Sequence, residues 1–259
     1  VSKHEDGTLS PSRMDTYTGC ALRYKYQYID GLADPPGIAA VRGTLMHTVL
    51  EHVYNGTLGE PHLLPESQRT IMFDAYVDAM EPDETPVADE YGRAKLYLEI
   101  MDLWANYVAM EDPETVRKTV RNTEQKVTLD MGGWELRGII DRVDEDVHGL
   151  TVNDYKTGKP PQHGREAQKL TGLITYAYLI WKTEGEIPRV KLLYLKNKLT
   201  ITRKPSIRDL EAFERKAQAV RAGIMSGEYR AQVSYRCSFC PHRAICPDYI
   251  ESCAERNAA

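Results

Sequence analysis

The sequence predicts an α/β or α+β chain built on a mixed β-sheet, and three observations carry the prediction. Apolar residues recur at helical spacing through residues 41–54 and 91–111. After Pro113 the period changes to strand-like alternation over Val116–Leu129, followed by apolar runs broken at Gly132-Gly133 and His148-Gly149. A helix, a second pair of strand-like runs and another helix then follow without a regular strand–helix repeat, which disfavours a doubly wound parallel sheet.

In order along the chain, Ser10 is placed to cap a helix with Pro11 at its first position, and Asp15 lies in the early turns. Asp34-Pro35-Pro36-Gly37 breaks the chain after the Tyr-, Arg- and Lys-rich stretch 21–29. Residues 41–54 (VRGTLMHTVLEHVY) set Leu45, Val49, Leu50 and Val53 on one stripe. A helix is expected near 66–80, and the acidic, proline-bearing 81–90 reads as a surface loop. The helix over 91–111 turns Leu96, Ile100, Leu103, Trp104 and Val108 inward. Lys126–Asp130, Trp134–Arg142 and Leu150–Tyr155 read as consecutive strands, residues 165–183 as a helix, 189–203 as a hairpin around Lys196–Lys198, and 206–226 as a helix.

A chain of 259 residues suits one domain: a mainly helical part over 1–113, a sheet and helix over 114–204, and a C-terminal helix with cysteines over 205–259. With 42% hydrophobic and 27% charged residues it has the make-up of a globular protein rather than a disordered one. No apolar run is long enough to span a membrane and no signal peptide opens the chain, so the cytoplasm is the expected address. The net charge of −5 does not itself suggest nucleic acid, yet it is unevenly spread. Residues 81–90 hold five acids and no base, whereas 182–204 hold seven Lys and Arg against two Glu. There is no phosphate-binding loop, because Gly158-Lys159 is followed by Pro160.

The chemistry concentrates around residues 138–159. Asp154 and Lys156, two apart in a strand, project to one face. Asp141 lies on the preceding strand. Carboxylates on apolar strands beside a lysine are costly unless they hold a cation or take part in chemistry. Oxygen ligands of this kind suit Mg²⁺ or Mn²⁺, and the backbone carbonyl of Tyr155 offers another. Lys156 would orient or help deprotonate a water, or stabilise charge on a phosphate. The plainer reading makes Asp141–Arg142 and Asp154–Lys156 exposed ion pairs at strand ends. His47 lies on the 41–54 helix with Glu51 one turn on, although a lone helical histidine is more often a core or surface residue than a ligand. Glu124, opening the strand EQKVTL, has two readings: a group pointing toward the site or a solvent-facing strand residue.

Taken together, GTLMH (43–47), GIIDRVD (138–144), DYKTGK (154–159) and the Tyr of LITYAYLI (173–180) resemble the RecB-type branch of the PD-(D/E)xK nuclease superfamily. The resemblance implies the restriction-endonuclease-like core of that superfamily. It makes His47, Asp141 and Asp154 metal ligands and Lys156 catalytic, with Tyr176 on the following helix. The family's Gln four residues before that tyrosine is missing. Gly172 stands there, and Gln168 lies one turn further back on the same face.

Cys237-x-x-Cys240-x5-Cys246 is a tight group with metal-ligand spacing, and four thiolates suit either a [4Fe–4S] cluster or tetrahedral zinc. The resemblance extends to AddB-like and CRISPR-associated relatives, which implies a [4Fe–4S] cluster on Cys20, Cys237, Cys240 and Cys246, with Cys253 left over. It further implies a Mg²⁺- or Mn²⁺-dependent DNA exonuclease of recombination, repair or DNA processing. Lys159, Arg165 and Lys169 would hold phosphates. Tyr24, Tyr26, Tyr28, Tyr176 and Tyr178 are candidates to stack on bases, although core packing is the ordinary use of at least half of them. Two other readings stand beside it: a non-motor subunit of a helicase–nuclease or CRISPR adaptation assembly, and a zinc-stapled structural module.

Overall fold

The computed structural model describes residues 7–34, 36–55, 73, 90–160 and 171–258. Its helices are α1 (Pro11–Gly19), α2 (Ala21–Tyr24), α3 (Ile38–Asn55), α4 (Glu90–Met110), α5 (Pro113–Arg117), α6 (Thr171–Glu184), α7 (Ile207–Met225) and α8 (Pro247–Ala258). Its strands are β1 (Thr8–Leu9), β2 (Val120–Asp130), β3 (Glu135–Asp146), β4 (Gly149–Lys156), β5 (Arg189–Tyr194) and β6 (Leu199–Arg203). The chain divides into two units, Val1–Asp34 with Thr128–Arg137 and Arg208–Ala259, and Pro35–Val127 with Gly138–Ile207.

In the first unit α1 starts as predicted: Ser10 is extended, its hydroxyl accepts from Arg13 N at 3.3 Å, and Pro11 opens the helix. After α2 the chain widens into a π-turn over Lys25–Ile29. β1 pairs in parallel with the start of β3, Thr8 opposite Glu135. The turn joining β2 to β3 needs its two glycines. Gly132 and Gly133 both have positive φ, and their N–H groups donate to Asp130 Oδ1 at 2.9 and 3.3 Å. α7 buries Leu210, Phe213, Ala217, Val220 and Ile224, the stripe its 3.6-residue period dictates. Two short 3₁₀ turns, Tyr235–Phe239 and Arg243–Ile245, carry the cysteine motif into α8.

In the second unit β3 and β4 pair antiparallel, β4 and β5 parallel, and β5 and β6 antiparallel, while β2 pairs with β3. The sheet is therefore mixed, with β1, already described against the start of β3, as the sixth strand among the described residues. Helices cover both faces. On one, α3 and α4 bury Leu45, Met46, Leu50, Leu96, Ile100, Leu103, Trp104 and Tyr107 against Tyr155 and Leu193. On the other, α6 buries Leu173, Ala177, Tyr178, Leu179 and Ile180. Alternation along β4 thus sends Tyr155 to the α3–α4 side and Asp154 and Lys156 to the opposite one.

Three sequence expectations are corrected. Val116–Arg117 close a short helix instead of opening a strand, because Asp112 caps it through Glu114 N and Thr115 N, with Pro113 at its start. Val108 is exposed, and Tyr107 takes the inward position one residue earlier. Arg142 is no exposed strand-end charge: it is fully buried. The helix expected near 66–80, apart from Phe73, the 81–89 part of the acidic loop, and 165–170 lie outside the described residues.

Candidate active site and cysteine cavity

The predicted site residues of the second unit converge from four elements. β3 supplies Asp141, β4 supplies Asp154 and Lys156, α3 supplies His47, and β2 supplies Glu124. Asp141 is held by β4, because its Oδ2 accepts the Tyr155 backbone N–H at 2.8 Å. His47 is held from both sides of its ring: Nε2 donates to the Tyr155 carbonyl at 3.0 Å and Nδ1 faces Asp141 Oδ1 at 3.4 Å. Gly43, one turn before His47, faces Thr157, and a Cβ there would make only an ordinary contact with its Oγ1 at 3.7 Å.

Glu124 reaches the site by a backbone irregularity. Its φ is +44° in the middle of an eleven-residue strand, a conformation L side chains adopt at a cost. Strand alternation fails there, with Thr123, Glu124 and Gln125 all half-buried. The gain is a carboxylate oxygen that, with ligand atoms of His47 and Asp141, forms a trio within 4.8 Å of one another. That is the donor set of a hard divalent cation, two carboxylates and an imidazole, and the Tyr155 carbonyl lies against the same histidine.

Electrostatics point the same way. Burial pulls His47 down, but its hydrogen bond to Asp141 and the charges of Asp141 and Asp154 outweigh that and lift its pKa to about 9. Burial lifts Glu124 to about 7, with Asp141 adding and His47 opposing. Two protons thus sit where carboxylates crowd, and a cation would replace them.

Asp154 is buried and raised by that burial, while Lys156, whose ammonium ion-pairs with its Oδ2 at 2.5 Å, opposes the rise. Burial works against the Lys156 ammonium too, but Asp154 and Asp141 hold its pKa above the ordinary lysine value. Lys156 is therefore a cation at neutral pH, which suits charge stabilisation better than proton abstraction. Tyr176 sits on α6 with its ring against Gly138, where a Cβ would lie 2.8 Å from Cε1. Burial raises its pKa, with Asp154, Asp141 and Glu124 adding, so it stays a neutral phenol. Lys159 follows β4 and is exposed, whereas Arg165, Gln168 and Lys169 lie outside the described residues.

Behind Tyr155 lies a buried network that sequence reasoning missed. Arg142 ion-pairs with Glu111 at 3.0 Å and Asp144 at 2.9 Å, and donates to the hydroxyls of Tyr155 at 2.6 Å and Tyr107 at 2.9 Å. Lys191 also pairs with Glu111. Since Tyr155 gives Asp141 its N–H and His47 its carbonyl, the network fixes the backbone on which both depend. The available signal was an arginine in the middle of the apolar run GIIDRV.

In the first unit Cys20, Cys237, Cys240 and Cys246 line one cavity, and Cys253 is not among its lining residues. Backbone N–H groups of Gln232 and Ser234 point at the sulfurs of Cys20 (3.5 Å) and Cys237 (3.4 Å). His242, 5% exposed, lines the same cavity and its buried Nε2 has no hydrogen-bond partner in the structure. Four thiols, N–H donors to sulfur and an orphaned imidazole nitrogen fit a thiolate-held metal centre.

Of the five tyrosines expected mostly in the core, two are fully buried. Tyr24 and Tyr178 are buried, and Tyr26, Tyr28 and Tyr176 are half-buried.

Among solved structures, a putative exonuclease from Eubacterium rectale aligns over 93% of this chain and 92% of its own, at 11% identity and TM-score 0.54. A second, printed as SSO0001, covers 96% of this chain and 89% of its own at 13% identity and TM-score 0.46. The first supports the fold. No curated protein matches the chain. The sequence profile of the PD-(D/E)XK nuclease superfamily matches residues 8–247, nearly the whole length. The chain belongs to the PD-(D/E)XK nuclease superfamily.

Proposed function

We propose that the protein is a divalent-metal-dependent DNA exonuclease working on single-stranded or frayed ends, with a second, thiolate-held metal centre. The observation that carries the first part is the trio of His47, Glu124 and Asp141 ligand atoms within 4.8 Å of one another, beside the Asp154–Lys156 pair. His47, Asp141 and Glu124 would hold a Mg²⁺ or Mn²⁺ ion, with Asp154 and the Tyr155 carbonyl next to it. Such an ion, when bound, neutralises charge on a phosphoryl group and acidifies water. The chain's own groups do the rest. Asp154 orients the Lys156 ammonium, and Lys156 offsets the negative charge that grows on a phosphodiester under attack. Asp141 and the Tyr155 carbonyl set the His47 ring, and Tyr176 offers a neutral hydroxyl on the same side of the sheet. Lys159, Arg165 and Lys169 would hold neighbouring phosphates, and Gln168 would stand in for the family glutamine.

Cys20, Cys237, Cys240 and Cys246 would hold a [4Fe–4S] cluster, which would tie the N-terminal helices to the C-terminal segment and contribute folding energy. Zinc is the alternative occupant of the same thiolates. An anaerobic preparation absorbing near 400 nm supports the cluster, and a colourless protein with one zinc sinks it. No helix among the described residues is long and apolar enough to cross a membrane.

The test of the nuclease reading is Asp154→Ala and Asp141→Ala against end-labelled single-stranded DNA with Mn²⁺. Both should lose cleavage while binding DNA within a fewfold of wild type. Metal-dependent cleavage at the wild-type rate in both variants sinks the reading.

A further inference from the structure

The cysteine-bearing segment has a property that holding a metal does not require. Between Glu228 and Asp248 it carries Arg230, Arg236, Arg243 and His242, and no carboxylate at all. It also shows aromatic rings to solvent. Phe239 is 83% exposed and Tyr235 77% exposed, whereas the chain's other phenylalanines, Phe73 and Phe213, are buried. Exposing a phenylalanine costs free energy that folding would recover by burying it, so an outward ring beside fixed cations points to a ligand. The two rings open and close one 3₁₀ turn, Tyr235–Phe239, and that turn is fixed in place. Ser234 caps it by accepting from Arg236 N at 3.3 Å, and the Arg243 guanidinium donates to the Ser238 carbonyl at 2.8 Å. Arg236 lies against Gly19, where a Cβ would sit 2.9 Å from its guanidinium.

Flat rings on a segment whose own charges are all positive, with Asp15 the one carboxylate lining the cavity that Arg236 also lines, complement a polyanion with exposed π-faces. Only unpaired bases present such faces, because in a duplex the faces are stacked away. We propose that Tyr235 and Phe239 form a stacking platform for the bases of single-stranded DNA, with Arg236 and Arg243 on its phosphates. The choice of DNA rests on the nuclease reading, while the preference for an unpaired strand comes from the rings. The platform explains why the first unit spends its aromatic surface outward at the turn that also carries Cys237.

The test is fluorescence anisotropy of the full chain with a labelled oligo-dT, in EDTA so that no cleavage enters. The variants are Phe239→Ala, Tyr235→Ala and, as the conservative exchange, Phe239→Trp. Loss of one ring should weaken binding about 5- to 150-fold, the span of base–aromatic stacking, and Phe239→Trp should restore it. Arg236→Gln should lower the slope of log Kd against log salt by about 0.7. Iron or zinc content and the melting curve, measured on each variant, should match wild type, showing that the fold is intact. Ring variants binding within twofold of wild type overturn the platform. So does an equal loss for single-stranded and duplex DNA, or a change of oligomeric state with DNA binding intact, which would make this face a protein interface. Because the assay needs no catalysis, failure of the platform leaves the Asp154 and Asp141 result standing, and failure of the nuclease reading leaves the anisotropy result standing.

Discussion

Replacing Arg142 by Met tests whether the buried network behind Tyr155 supports the site. The guanidinium is fully buried and serves two carboxylates, Glu111 and Asp144, and two phenols. Without it Glu111 keeps Lys191, but Asp144 keeps only the Asn153 amide at 2.8 Å. A carboxylate whose side chain is only 15% exposed thus loses its cation, a change that costs about 3–5 kcal/mol for a buried pair. Protonating Asp144 at pH 7 limits that share to about 4 kcal/mol, since the step from an ordinary Asp pKa costs about 1.4 kcal/mol per pH unit. The sign follows. Without Arg142 the folded-state pKa of Asp144 lies above its unfolded value, so the penalty is full at neutral pH and is lost as pH falls toward the unfolded value. Urea unfolding followed by tryptophan fluorescence should show a deficit of about 3–5 kcal/mol at pH 7, shrinking by about 1–2 kcal/mol at pH 5. The double variant Arg142→Met/Asp144→Asn should recover at least half of it. A deficit under about 1 kcal/mol at pH 7, or one that does not change with pH, refutes the reasoning.

Three further outcomes follow from the site. Glu124→Gly removes a ligand and relieves a positive φ together, so Mn²⁺ affinity should fall about 10-fold or more while stability holds or rises by about 1 kcal/mol; titration calorimetry and melting curves measure the pair. Mn²⁺ affinity should climb from pH 6 to pH 9, because the ion displaces protons from Glu124 (about 7) and His47 (about 9). Above pH 7 only the histidine proton remains, and the slope should be about tenfold per unit, so a flat profile would contradict the assignment. Gly138→Ala places a methyl 2.8 Å from the Tyr176 ring and should cost about 1–3 kcal/mol through overpacking. It should slow cleavage more than it weakens Mn²⁺ binding, as measured on the same preparation.

Much of this was legible in the sequence because it depends on period and spacing. The strands flanking Gly132-Gly133 and His148-Gly149, the hairpin at Lys196–Lys198 and the Ser10-Pro11 cap lie where local chemistry put them. His47, Asp141, Asp154 and Lys156 carry motifs, and the fold brings them into one neighbourhood. What was not legible depends on tertiary packing. An arginine in GIIDRVD has two readings until Glu111, some thirty residues earlier, is known to meet it. Glu124 was legible as a candidate, but not the way it reaches the site, since nothing in EQKVTL announces a positive φ. The tyrosines suggested for stacking were judged by type, yet exposure decides the matter, and Tyr24 and Tyr178 are core while Tyr235 and Phe239 face solvent.

The most direct measurement is cleavage of end-labelled single- and double-stranded DNA with Mn²⁺ by wild type and by Lys156→Ala. Lys156 reaches the site as a cation held by Asp154, and in the proposed function its ammonium offsets charge on the phosphodiester. The account predicts metal-dependent shortening of the labelled strand by wild type, none above background by Lys156→Ala, and equal Mn²⁺-free DNA binding by both. Cleavage by Lys156→Ala at the wild-type rate, abolished by EDTA in both, would contradict it.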